Sequence, residues 1–127
     1  MSEDIQKSAG AAAANRRGGV LSLNINSKSA LYAAYMAQLK NGGLFIPTNR
    51  PYEIGDEEFM LLTLMEDPTR IPVAGKVAWI TPAGAQNGKV QGIGVHFNSD
   101  EAGIDVRRKI EGLLGGTLQS NRPTHTI

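Results

Sequence analysis

Apolar and polar positions alternate through Leu21-Ser22-Leu23-Asn24-Ile25, the period-two signature of a half-buried strand, so a strand is predicted over 20–25. The period then changes. Asn26 or Ser27 offers a helix N-cap, and residues 29–39 place Leu31, Tyr35 and Leu39 on one i, i+4, i+8 stripe, with Tyr32 and Met36 widening it. That is more apolar surface than a short surface helix needs. Asn41-Gly42-Gly43 breaks this helix and turns into a strand over 44–46. Pro47 and Pro51 bracket a loop, and further strands follow over 58–65, 71–81 and 89–97, with a turn-rich connector at 83–88. From Asn98-Ser99-Asp100 a last helix carries Val106, Ile110, Leu113 and Leu114 on one face, and Gly115-Gly116 stops it. The order is strand, helix, several consecutive strands, helix. Short turns between strands mean antiparallel pairing, so the expected fold is mainly β with two helices: a small antiparallel barrel of about five strands.

Flanking segments lack such periods. Residues 1–17 read as a mobile N-terminal arm, 18–116 as the folded domain, and 117–127 as a flexible polar tail. With 127 residues, 41% hydrophobic and 20% charged, the chain suits one packed domain. A net charge of +1 gives no field that would draw in nucleic acid or an anionic membrane. No stretch approaches the roughly 18 to 20 apolar residues that span a bilayer. Glu3 and Asp4 stand where a signal peptide would be basic, so a cytoplasmic chain is expected.

Candidate chemistry is sparse. The chain has no cysteine, which removes disulfides, thiol catalysis and thiolate-bound zinc. Within the predicted domain the one possible base is His96, alternating with Val95 and Phe97 and so facing the other way, while His125 lies in the tail. Two histidines so placed make a poor metal site. Gly92-Ile93-Gly94 begins a GxG, but Phe97 occupies the third glycine position and a strand surrounds it. From Gly84 to Lys89 the spacing misses a phosphate loop, and Val90 replaces its Ser or Thr. Glu53, Asp56, Glu57, Glu58, Glu66 and Asp67 read as a solvated edge, since nothing fixes two carboxylates at a set distance. No enzyme, cofactor or metal is expected.

Three fragments are specific when read together: Asn41-Gly42-Gly43-Leu44-Phe45-Ile46, then Ala74-Gly75-Lys76-Val77-Ala78-Trp79-Ile80, then Gly92-Ile93-Gly94-Val95-His96-Phe97 ahead of Ile110-Glu111-Gly112-Leu113-Leu114. They resemble the PilZ-domain family, small β-barrels whose receptor members bind cyclic di-GMP. The helix after the first strand and the ending Pro123-Thr124-His125-Thr126-Ile127 resemble the non-receptor members of type IV pilus assembly. Family receptors use an RxxxR motif before the first strand and a D/NxSxxG motif at the next. Two phosphates and two guanine edges need forked guanidiniums there. Here Arg16 and Arg17 are near the right place, but four residues on are Val20 and Leu21, so no i, i+4 pair exists. Aligning the second motif on Gly43 puts Gln38 at the Asp/Asn position and Lys40 at the Ser position.

The resemblance therefore implies an adaptor in type IV pilus assembly and twitching motility. Its implied partners are the pilus extension ATPase (PilB) and a FimX-type GGDEF–EAL protein that itself holds the dinucleotide. The alternative is a direct cyclic di-GMP receptor. Candidate partner-binding residues are Tyr32, Trp79, Tyr35 and Met36, since interface centres favour aromatic residues and methionine. Each of these also has a reading as core, strongest for Tyr35 because it shares the Leu31 and Leu39 stripe. Phe45, Phe59 and Phe97 are expected in the core.

Overall fold

The structure, a computed structural model, describes residues 13–17 (backbone alone), 19–116 and 124–126. Six strands form one sheet: β1 (Ala13–Arg17), β2 (Val20–Ile25), β3 (Gly43–Pro47), β4 (Glu57–Leu64), β5 (Ile71–Thr81) and β6 (Gly92–Phe97). Helix α1 (Lys28–Ala34) follows β2, and α2 (Glu101–Leu114) closes the domain. The spatial order is β1-β2-β4-β5-β6-β3, and the sheet curls until its edge strands β1 and β3 approach each other without a shared ladder. The fold is the expected one, mainly β with a helix after the 20–25 strand and a helix at the end. One ladder departs from antiparallel pairing. Strands β2 and β4 run parallel, Val20 opposite Phe59, because α1 and β3 intervene as a crossover connection.

The alternation in the sequence becomes the core directly. Leu21, Leu23 and Ile25 of β2 face inward beside Met60, Leu62 and Leu64 of β4, with Val73 and Val77 of β5 and Ile93, Val95 and Phe97 of β6 completing the lining. Helix α2 plugs the curl. The Asp100 carboxylate caps it by accepting from the Gly103 N–H at 2.9 Å, and Val106, Ile110 and Leu114 are buried. Leu113, expected on that face, is instead 37% exposed.

Helix α1 is shorter than the predicted 29–39. Ser27 caps it as its Oγ accepts from Ala30 N–H, and the helix ends at Ala34 with Tyr35 extended. Tertiary contacts override the local pattern here. The Met36 N–H bonds Gly43 O at 2.9 Å and Tyr35 bridges to Leu44, so the chain leaves the helix to run along the edge of β3.

Two segments differ from expectation. Of the arm read over 1–17, the first twelve residues lie outside those described, but Ala13–Arg17 is a strand paired antiparallel with β2. It caps a ladder whose N–H and C=O groups would otherwise end the sheet unpaired. Of the tail read over 117–127, Thr124, His125 and Thr126 are packed onto the domain, and the remainder lies outside the described residues.

Candidate partner-binding face

The outer face of β5, β6 and β3 holds a second apolar cluster, separate from the barrel interior. A bulge creates it. Val77 pairs with Val95 but Trp79 pairs with Gly94, so Ala78 is the extra residue and the strand changes phase there. Val77 faces the core, whereas Trp79 and Thr81 share the outer face, and the indole Nε1–H donates to Thr81 Oγ1 at 2.8 Å. The apolar residues of this strand are thereby divided between two faces. Ile80, opposite Ile93, reaches the mouth of the barrel and is 41% exposed.

Opposite Trp79, Gly94 leaves room that larger side chains fill. A Cβ at Gly94 would collide with the Met36 sulfur and lie 2.8 Å from Trp79 Cβ. Gly92 does the same for the Phe45 ring. These glycines, which begin a GxG in the sequence, are sockets for Met36 and Phe45. The Phe45 ring is fully buried although it points outward, because His125 stacks on it with centroids 5.0 Å apart. His96 shares this face, and its Nε2 accepts the Asn41 N–H at 3.0 Å, which fixes it as a structural acceptor.

Of the four candidate interface residues, Trp79 is half-buried at the surface of this cluster and Met36 lies wholly beneath it. Tyr32 and Tyr35 belong to the barrel core, with Tyr32 at its edge. Tyr35 has a further task. Its hydroxyl donates to Glu111 Oε2 at 2.6 Å, and Arg107 approaches the same oxygen at 3.3 Å, tying the end of α1 to α2. Burial, then the bond to Glu111, pushes the Tyr35 hydroxyl well above the ordinary range, while that bond holds the Glu111 carboxyl below its own. Phe59, expected in the core, instead sits on the outer face of β4 at 43% exposure.

The positions of the degenerate ligand motif are dispersed. Arg16 and Arg17 pair through their backbones with Leu21 and Val20 in the β1–β2 hairpin, and their side chains lie outside the described residues. Gln38 and Lys40 are exposed; Gln38 donates to Thr126 Oγ1 at 3.0 Å. Gly43 is buried because β6 approaches so closely that any Cβ would strike Val95 O. Its reason for being glycine is packing. Beside the β1–β2 turn, Gly19, Glu57, Glu58, Phe59, Ala74, Gly75 and Asn98 line a groove of about 340 Å³. Two carboxylates line that groove. Among the described residues no three His, Asp or Glu side chains gather as metal ligands, and no helix is long and apolar enough to cross a membrane.

A curled sheet plugged by a C-terminal helix, with an aromatic outer face, defines a small β-barrel of the binding-module kind. The PilZ domain family matches residues 19–116, which is 98 of 127, and the chain belongs to that family. No curated protein matches the sequence.

Proposed function

We propose that this PilZ domain is a non-enzymatic cytoplasmic adaptor in type IV pilus assembly and twitching motility, binding the PilB extension ATPase and a FimX-type GGDEF–EAL protein without taking up cyclic di-GMP itself. The carrying observation is the absence of an arginine pair at i, i+4 ahead of β2, where receptor members grip the dinucleotide. The groove at that end of the barrel adds support, because the described residues that line it include Glu57 and Glu58 and no guanidinium. The outer face supplies the alternative use of the fold. Trp79 is a rigid aromatic on an ordered strand, half-buried and backed by Met36, the type of residue that anchors protein interfaces.

The test has two parts. Calorimetric titration with micromolar cyclic di-GMP should release no heat, and saturable binding would establish the receptor reading instead. Trp79→Ala should weaken capture of purified PilB or of the EAL protein by tenfold or more with the far-UV spectrum unchanged. Tyr32→Ala should weaken it less, since Tyr32 is a core-edge side chain whose loss also costs stability. Normal binding by both variants would move the interface elsewhere.

A further inference from the structure

We infer that the outer face of β3 and β6 is an intramolecular docking groove for the segment Thr124-His125-Thr126, and that protonation of the His125 imidazole releases this strap.

The segment is held at several points. The His125 N–H donates to Ala33 O at 2.9 Å, satisfying a carbonyl in the last turn of α1, where helices leave acceptors unpaired. Lys89 Nζ donates to Thr124 O at 2.7 Å, and Gln38 Nε2 donates to Thr126 Oγ1 at 3.0 Å. Thr126 is 6% exposed. Between these polar anchors the imidazole lies over Phe45, its ring plane 28° from that of the phenyl. Phe45 is the reason for the docking. It occupies the socket at Gly92, and without the imidazole an outward-facing phenyl on an edge strand would meet water.

The surroundings favour a neutral ring. Strand β3 presents Phe45; α1 and the loop after it present the Ala33 carbonyl and the uncharged Gln38 amide; the segment before β6 presents the Lys89 ammonium. The nearest titratable group of β6 on this face is His96, held by Asn41. Lys89 is the charge that acts on the ring. Burial first, then Lys89, lowers the His125 pKa from 6.5. A ring cation over a phenyl face gains some attraction, but half-burial beside an ammonium outweighs it. The docked strap thus binds protons less readily than the free strap. Docking is at full strength above pH 6.5 and weakens as pH falls below it, by up to tenfold per pH unit until the docked ring itself titrates. Release bares Phe45 and the surface beside it, so acidification would convert a covered face into an apolar one.

The experiment is an NMR pH titration of the full chain from 8 to 5, following the amides of 124–126 and the His125 ring, with His125→Phe and His125→Ala alongside. The expected result has 124–126 at docked shifts at pH 8, moving to random-coil shifts with a midpoint below 6.5, while Ile93 and Val95 stay put. His125→Phe, which keeps the ring but cannot titrate, should remain docked throughout, and His125→Ala should be undocked throughout. The inference fails if 124–126 have random-coil shifts at pH 8 or His125 titrates at or above 6.5. It also fails if His125→Phe releases at the same pH, or if Ile93 and Val95 move with the tail.

Discussion

Replacing Tyr35 by Phe removes one oxygen and leaves the buried ring in place, so it isolates the bond that joins α1 to α2. The hydroxyl donates at 2.6 Å to a carboxylate, and bonds to charged groups are worth about 1.5–3 kcal/mol. Glu111 is partly exposed, its side chain at 37%, and keeps Arg107 and water after the change, which argues for the lower end. No replacement donor is needed inside the core, because Phe leaves no polar atom behind. We therefore expect a loss of about 1.5 kcal/mol. At about 2.1 cal/mol/K per residue over roughly 110 ordered residues, the unfolding entropy is about 230 cal/mol/K, and the melting temperature should fall by about 6 °C at pH 7.

The pH dependence gives a sharper check. Glu111 has its carboxyl pKa lowered from 4.5, so its share of the stability is fully present above that value and is lost as pH falls through the folded-state pKa. Tyr35 is raised from 10, so its share is present below pH 10 and is lost as pH rises beyond it. The melting gap between wild type and Tyr35→Phe should be flat from pH 6 to 9, shrink below about pH 4.5 and shrink again above pH 10. Differential scanning calorimetry across that range decides it. A gap under 1 °C at neutral pH, or one unchanged at pH 3, would refute the assignment of this bond as the tie between the helices.

Further expectations concern sockets and caps. Gly94→Ala should cost about 1–3 kcal/mol by overpacking, since its Cβ meets Met36 and Trp79, and the indole fluorescence maximum should shift as Trp79 is displaced. Asp100→Ala removes the acceptor for the Gly103 N–H and should lower stability in urea by about 1 kcal/mol with an unchanged m-value.

Most of the barrel was legible because its strands obey a period of two. Positions 20–25 form a strand as the alternation predicts, and 71–81 form the predicted strand although its phase changes at Ala78. Strands β3 and β4 differ from prediction by a residue at each end, and β6 starts at Gly92 where 89 was expected. Where the sequence misleads, a distant partner has overruled a local signal. The i, i+4 stripe of Leu31, Tyr35 and Leu39 predicts a long helix, but Glu111 takes the Tyr35 hydroxyl and Gly94 accommodates Met36, so the chain uncoils at Ala34. The strand at Ala13–Arg17 has no apolar alternation to announce it; the open edge of β2 recruits it through the backbone. His125 was equally silent, since a single imidazole in a polar run says nothing about the Phe45 ring it will cover. At the outer face, Trp79 owes its position to the bulge at Ala78, which no residue pattern announces. Gly92 and Gly94 do not read as an anion loop in the sequence, but glycine alone does not announce which side chains it makes room for.

A pleated strand has two sides, and the bulge at Ala78 is the point where β5 trades them. Everything before it is indexed to the barrel interior through Val73 and Val77; everything after it is counted one step later. Substitution and change of pairing therefore have unlike reach in this segment. Exchanging the side chain at 79 or 81 alters what the outside of the domain offers and leaves the interior intact. Ironing the bulge into a regular ladder, with Ala78 opposite Gly94, would turn the indole inward, bring Ile80 out and transpose the whole terminal stretch of the strand, whereas deleting Ala78 would erase the bulge and leave the indole outside. The same deletion among residues 83–88 would only shorten a turn. One small alanine is thus the index mark that lets the two surfaces of a thin sheet diverge independently.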